Sequence, residues 1–314
     1  MIYFTRMRTI LSTLKASLLK SLHIYYIEKH LKEQIEDQCA QILDLKMALI
    51  GATSDLYKAE ADYVQKNGFC NFPYRALQEV PDFDSGYDAS RKLPYVVHQG
   101  KKLFFPQSYP VEKCIKMYKS YIGEECLLGG RYREKQPHQY LTDTFTIEVG
   151  DVFVNVGCAE GLLSLDNIEK VSKVYLFEGD PMWISALNAT FSDYKDKVVI
   201  INKYVSDHDS DNTITLATAL QHEHDKPLFI KMDIEGAEVD VLNGSKGFLA
   251  ERQNVKIACC TYHRQHDSEE IPRILEDMGY HYEFSDGYML YEAYDKMQYP
   301  YFRRGLVRAR KFVL

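Results

Sequence analysis

Leu228-Phe229-Ile230-Lys231-Met232, followed by Asp233-Ile234-Glu235-Gly236-Ala237-Glu238, is the stretch on which the fold turns. A short apolar run reads as a strand buried on both faces. It gives way at once to three carboxylates, a glycine and a helical pattern over 237–249. Carboxylates at the carboxyl end of a buried strand are costly unless they are hydrogen-bonded or put to use. Glu238 is accounted for by the preference of acids for a helix N-terminus. Asp233 and Glu235 are not so easily dismissed.

The same rhythm extends in both directions. Strand-like runs at 152–156, 174–177, 198–201, 228–232 and 255–260 alternate with helical ones at 161–171, 181–191, 237–249 and 269–278. Alternation of this kind predicts a parallel sheet with helices on both faces. At the end, residues 280–285 and 288–294 flank Asp286-Gly287, a tight-turn signal that predicts an antiparallel hairpin. Ahead of the sheet, 93–105 alternates like a hairpin turning at Gln99-Gly100, 127–140 reads as a polar loop, and 144–149 reads as a further strand.

With 314 residues, 46% of them hydrophobic, the chain is long enough for one large domain with an extension. The expected division is a helical extension and linker over 1–92 and a catalytic domain over 93–314, with its cofactor core at about 151–294. A formal net charge of −7 argues against a general nucleic-acid binder. The seven cysteines are scattered, without a C-x-x-C pair or zinc-like spacing, which favours reduced thiols and a cytoplasmic location. No apolar run reaches the roughly 18 residues of a membrane span.

Residues 8–66 lack proline and carry a heptad-like seam: Ile35, Ile42, Leu49, Leu56 and Tyr63, with Leu31, Leu45, Ala52 and Ala59 beside it. A long helix or helical hairpin explains the seam, and so does an arm that pairs with a second copy as a homodimer. Arg6, Arg8, Lys15, Lys20, Lys29 and Lys32 surround leucines and isoleucines early in this segment. A solvated helix face accounts for them, with peripheral membrane contact as the alternative. Arg303, Arg304, Arg308, Arg310 and Lys311 read as a solvated basic tail, with binding of an anionic substrate or surface as the alternative.

Four further segments sit where a ligand would be met. Asn155-Val156-Gly157-Cys158-Ala159-Glu160-Gly161 joins a strand to a helix, where small residues allow close backbone approach and free N–H groups face outward. Glu178 ends the next strand and is placed to accept hydrogen bonds from ribose hydroxyls. Ser206-Asp207 follows the third strand, at the expected adenine edge, although both are also common turn residues. His263, in Thr261-Tyr262-His263-Arg264, should face the same crevice as Asp233 and Glu235.

The series NVGCAEG, YLFEGDP, VSD, IKMDIEGAE and CTYH, in this order, resembles the FkbM-type methyltransferase family over roughly 127–294. The resemblance implies a class I methyltransferase (Rossmann-like) α/β sheet with a C-terminal antiparallel hairpin, here preceded by an N-terminal helical extension. It implies S-adenosylmethionine as cofactor. Gly157 and Gly161, with Cys158 and Glu160 between them, would line the methionine side, Glu178 would hold the ribose, Ser206 and Asp207 would lie near the adenine, and Asp233 near the sulfonium and substrate. The family carries Asp where this chain has Asn155; Asn keeps a hydrogen bond but forfeits a charge, worth about 1 kcal/mol.

The expected reaction is O-methylation of a hydroxyl on a sugar, polysaccharide or other small acceptor, with Asp233, Glu235 or His263 as base or orienter. His138 and Tyr140, in the loop ahead of the sheet, read as packing or turn residues, with a contribution to the site from its other side as the alternative. Asp233, Glu235 and His263 could instead take a divalent cation, but no metal is assigned. A nicotinamide-dependent oxidoreductase should show G-x-G-x-x-G, whereas position 159 is Ala. A catalytically inactive scaffold of the same fold is the other alternative.

Overall fold

The computed structural model describes residues 25–27, 29–32, 34, 42, 45–48, 51, 55–68, 70–74, 82–125, 136–224, 226–290 and 301–311. They fall into two compact units, Met1–Cys70 and Asn71–Leu314. In the first, the described residues of 25–51 are helical, and a 3-10 turn, Asp55–Tyr57, leads into the helix Lys58–Asn67. That helix stops at Gly68, whose left-handed φ of 83° suits glycine. Leu31, Ile42, Leu45 and Leu56 of the seam are exposed. Arg6, Arg8, Lys15 and Lys20 lie outside the described residues. Among those described, no helix is long and apolar enough to cross a membrane.

The second unit opens with a three-stranded antiparallel sheet, β1 (Ser85–Asp88), β2 (Leu93–His98) and β3 (Lys101–Phe104). β2 and β3 form the hairpin expected at Gln99-Gly100, and both turn residues have positive φ (47° and 79°), as a tight hairpin turn requires. β1 comes from a segment that reads as linker in sequence, yet it pairs along its whole length with β2.

The main sheet contains β4 (Val152–Val156), β5 (Lys173–Phe177), β6 (Val198–Ile201), β9 (Leu228–Met232), β10 (Val255–Cys260), β11 (His281–Phe284) and β14 (Leu306–Arg310). Its order is β11-β14-β10-β9-β4-β5-β6, parallel throughout except for β14, which runs antiparallel to β10 and β11. This is the class I methyltransferase arrangement. The chain starts in the middle at β4, moves outward through β5 and β6, and returns to β9 on β4's other side. Ligands in such sheets bind beyond the strand tips at this reversal.

Side chains alternate across the pleat. Val152, Val154, Val156, Ile230 and Met232 pack on one face, under Leu242 and Leu275; Phe153 and Phe229 pack on the other, with Phe145, Leu162 and Leu176. Because Asn155 pairs with Lys231 across β4 and β9, both belong to the Phe153 face.

Three sequence expectations change here. Residues 144–149 form no strand; Thr146 and Thr144 instead offer their carbonyls to Lys256 and Arg310. The antiparallel closure is present, but between β11 and β14 rather than across Asp286-Gly287. β12 (Met289–Leu290) leaves to pair with β13 (Phe302–Arg303). Gly287 is needed for another reason: the Tyr74 ring occupies the space a Cβ would take, and the Tyr288 N–H donates to the Tyr74 hydroxyl. The basic C-terminus is no tail, since it forms β14 with Arg308 buried 3.6 Å from Glu283. The helix Val111–Glu124, which buries Cys114, Tyr118 and Ile122, is also additional to the sequence reading.

Candidate active site

The tips of β4 and β9 meet at Gly157. Its φ is 75°, and any Cβ would run into the carbonyl oxygen of Asp233. Glycine here lets the two turns touch. The Lys231 Nζ completes the joint by donating to the Gly157 carbonyl at 2.9 Å. Gly161 (φ 78°) starts the helix Leu162–Asn167, where a side chain would press on Phe191 and Leu187. Ala159 (φ 43°) and Glu235 (φ 56°) also adopt left-handed backbone, which non-glycine residues hold only where the surroundings over-determine it.

Beyond these turns lies a cavity of about 760 Å³, the size of a small-molecule site. Gly157, Cys158, Ala159 and Glu160 form one side, and Glu178, Gly179, Asp180 and Tyr204 another. Both oxygens of Glu178 accept backbone N–H bonds, from Ala159 (2.9 Å) and Asp180 (2.8 Å), which fixes the carboxylate at the strand tip. Burial raises its pKa, against those two bonds. Asp180 accepts from the Met182 N–H and begins the 3-10 turn Pro181–Trp183.

The opposite wall centres on Asp233. Its Oδ2 accepts from the Tyr140 hydroxyl (2.8 Å) and its Oδ1 from the Tyr262 hydroxyl (3.2 Å). Three basic groups stand close: His263 Nε2 at 3.3 Å, His138 Nε2 at 3.6 Å and Lys231 Nζ at 3.7 Å. Burial pushes the Asp233 carboxyl up, but Lys231, His138 and His263 outweigh it and hold it well below the usual range. Asp233 is therefore an anion. Lys231 answers in kind: burial would lower it, and Asp233, Glu125 and Glu160 more than compensate.

His263 lies behind Asp233 rather than on the cavity wall. Its Nδ1 is 2.8 Å from Oε1 of Glu238, whose side chain is wholly buried, and that same oxygen accepts the Ile234 N–H at 2.9 Å. Burial lowers the imidazole, yet Glu238 and Asp233 on its two sides bring it above its ordinary value. The helix Glu238–Gly244 thus contributes Glu238 as a buried counterion, more than an acid at a helix start.

Two further carboxyls, Glu160 buried and Glu125 half-buried, face the cavity from elements the β9 turn does not include. Glu160 sits in the glycine turn, 5% exposed, accepting the Leu162 N–H at 3.3 Å. Burial raises it to about 7. Glu125, at the end of the helix Val111–Glu124, is raised by burial to about 8.

Of the residues singled out in sequence, the cavity brings together Gly157, Cys158, Glu160, Glu178, Asp233 and Glu235. Glu235 stands at the rim with 83% of its side chain exposed, 3.7 Å from His263. Asn155 is buried under the wall, donating to Ser164 Oγ at 3.0 Å. Ser206 and Asp207 are hydrogen-bonded to one another away from the cavity, whose edge there is Lys203, Tyr204 and Val205. His138 and Tyr140, for which the sequence favours packing or turn roles over a site contribution, both join the Asp233 cluster. Among the described residues, His138–Asp233–Cys260 and Asp233–Glu238–His263 are groupings that could hold a metal ion. Asp233 is common to both, and its charge is already met by Lys231 and His263.

Residues 155–282 match the methyltransferase FkbM domain model. No curated protein matches the chain. Among solved structures, the precorrin-6y C5,15-methyltransferase of Geobacter metallireducens GS-15 is 12% identical, covering 54% of this chain and 84% of its own, with a TM-score of 0.37. The precorrin 8W decarboxylase of Methanobacterium thermoautotrophicum is 17% identical, covering 53% and 83%, with a TM-score of 0.36. An rRNA methylase of Streptococcus thermophilus is 13% identical, covering 53% and 90%, with a TM-score of 0.31.

Proposed function

We propose that this chain, which carries an FkbM methyltransferase domain over residues 155–282, uses S-adenosylmethionine to methylate a hydroxyl of a sugar, polysaccharide or other small acceptor. The observation that carries this is the meeting of the Gly157 cradle and the anionic Asp233 in one cavity at the sheet's reversal point. The residues present fit the cofactor. Glu178 keeps lone pairs for ribose hydroxyls beyond its two backbone bonds. Tyr204, packed over Gly179, offers a ring face to an adenine.

When bound, S-adenosylmethionine supplies a methyl group carried on a sulfonium. O-methylation then needs an acceptor oxygen held in line and a group to take its proton. Asp233, an anion with both oxygens fixed by tyrosine hydroxyls, orients. His263, raised by its two carboxylate neighbours, is a positioning residue for Asp233. His138 is the group we assign to the proton. The Tyr140 hydroxyl donates to Asp233, so its oxygen accepts from His138 Nε2–H at 2.9 Å. That tautomer leaves His138 Nδ1 as a bare lone pair, and Nδ1 is buried without a partner.

The test is transfer of a labelled methyl group from S-adenosylmethionine to glycan and small-molecule fractions. His138→Asn should lose about 10²–10⁴-fold in transfer while binding cofactor as before. Unchanged transfer by this variant would overturn the assignment of His138. The free thiols of Cys114, Cys158, Cys259 and Cys260 support a reducing, cytoplasmic setting. The exposed Leu31, Ile42, Leu45 and Leu56 support self-association of the N-terminal helices, which light scattering of the full chain would detect.

A further inference from the structure

We propose that Glu125 and Glu160 hold the α-ammonium of the cofactor's methionine moiety, replacing the acid that Asn155 lacks; this rests on the S-adenosylmethionine reading above. Asn155 is neutral, and its amide is turned to Ser164 beneath the wall, so it has no part in the cavity. Glu160 lies five residues further on, in the same glycine turn, and lines the cavity. Glu125 reaches the cavity from the helix Val111–Glu124, ahead of the matched domain. Its Oε2 is buried without a hydrogen-bond partner.

Among the described residues, the charges on this wall do not balance. Glu125 faces Lys231, Glu160, Asp233 and Glu124; Glu160 faces Lys231 and Glu178. Lys231 is the cation they share, and it is already engaged with the Gly157 carbonyl and Asp233. Among the described residues these carboxyls therefore outnumber the cations beside them, and burial pushes both Glu125 and Glu160 toward the neutral form. A ligand ammonium between them supplies the missing positive charge. It would form charge-assisted hydrogen bonds with both carboxylates.

S-adenosylhomocysteine and 5′-methylthioadenosine share the adenosine and the thioether, and only the first carries the amino acid. Calorimetric titration of the full chain with both separates a local role from a general one. Glu125→Gln and Glu160→Gln should each weaken S-adenosylhomocysteine by about tenfold and leave 5′-methylthioadenosine within about twofold. In the wild-type protein, S-adenosylhomocysteine should release protons at pH 7, seen as a dependence of heat on buffer ionisation enthalpy. Glu160→Gln should reduce that release. Equal losses for the two ligands would mean that the carboxyls only balance Lys231 or support the turn, and would overturn the proposal. So would undiminished binding of S-adenosylhomocysteine by both variants. If the folded wild-type protein binds neither ligand, the cofactor reading itself fails.

Discussion

Replacing His263 by Leu removes the imidazole from between two carboxylates. Glu238 is wholly buried, and its Oε1 would be left with the Ile234 N–H alone. Breaking a buried ion pair from one side costs about 3–5 kcal/mol, because the remaining charge is stranded. Asp233 adds little to this, since it keeps Lys231 and both tyrosine hydroxyls. Adding Glu238→Gln removes the stranded charge and retains an acceptor for Ile234. The double variant should therefore recover about 2 kcal/mol of the loss. The folded protein holds the His263 pKa above its unfolded value. Its contribution is thus complete below the unfolded pKa and fades as pH rises through the folded one. Urea unfolding at pH 6 and pH 9 measures all of this, and the gap between wild type and His263→Leu should narrow at the higher pH. A single-variant cost below about 1 kcal/mol, or a double variant less stable than the single, would refute the buried-pair account.

Other predictions concern the cavity. Gly157→Ala should destabilise by more than about 1 kcal/mol and abolish cofactor binding, because the left-handed backbone and the Asp233 carbonyl both oppose a Cβ; thermal melts and titration check it. Glu178→Gln should weaken adenosine-containing ligands generally, 5′-methylthioadenosine included, by about tenfold in the same titration. The folded pKa values of Glu160 (about 7) and Glu125 (about 8) lie above the ordinary carboxyl value. Stability of the cofactor-free protein should therefore be lost as pH rises from about 5 to 8. The melting-temperature gain from S-adenosylhomocysteine should grow over the same window, which differential scanning fluorimetry would show.

The parallel core was legible because each of its strands is a short apolar run ended by a turn residue, and β4, β5, β6, β9 and β10 all fall where those runs do. The helix Val111–Glu124 was legible in principle: Val111, Cys114, Ile115, Tyr118 and Ile122 follow helical spacing after Pro110. The partner of β11 was not legible. Asp286-Gly287 carries a hairpin signal, but the glycine serves the Tyr74 ring, and β14 is distant in sequence. In the site, Asp233 and Glu178 stood out because charge at a buried strand tip demands a reason. Tyr140 and His138 lie in a stretch without periodicity, and only tertiary contact brings them to Asp233. Ser206 and Asp207 show the reverse case. Their place after β6 in sequence suggests an adenine edge, yet the chain turns through β7 (Tyr204–Val205) and β8 (Thr213–Ile214), leaving Tyr204 at the cavity.

Calorimetric titration of the 314-residue chain with S-adenosylmethionine, and separately with NAD, tests the central claim most directly. Saturable one-to-one binding of S-adenosylmethionine, lost in Gly157→Ala, with no heat from NAD, is the result the Gly157 cradle and the charged cavity wall predict. A folded sample that binds NAD and leaves S-adenosylmethionine unbound would contradict it.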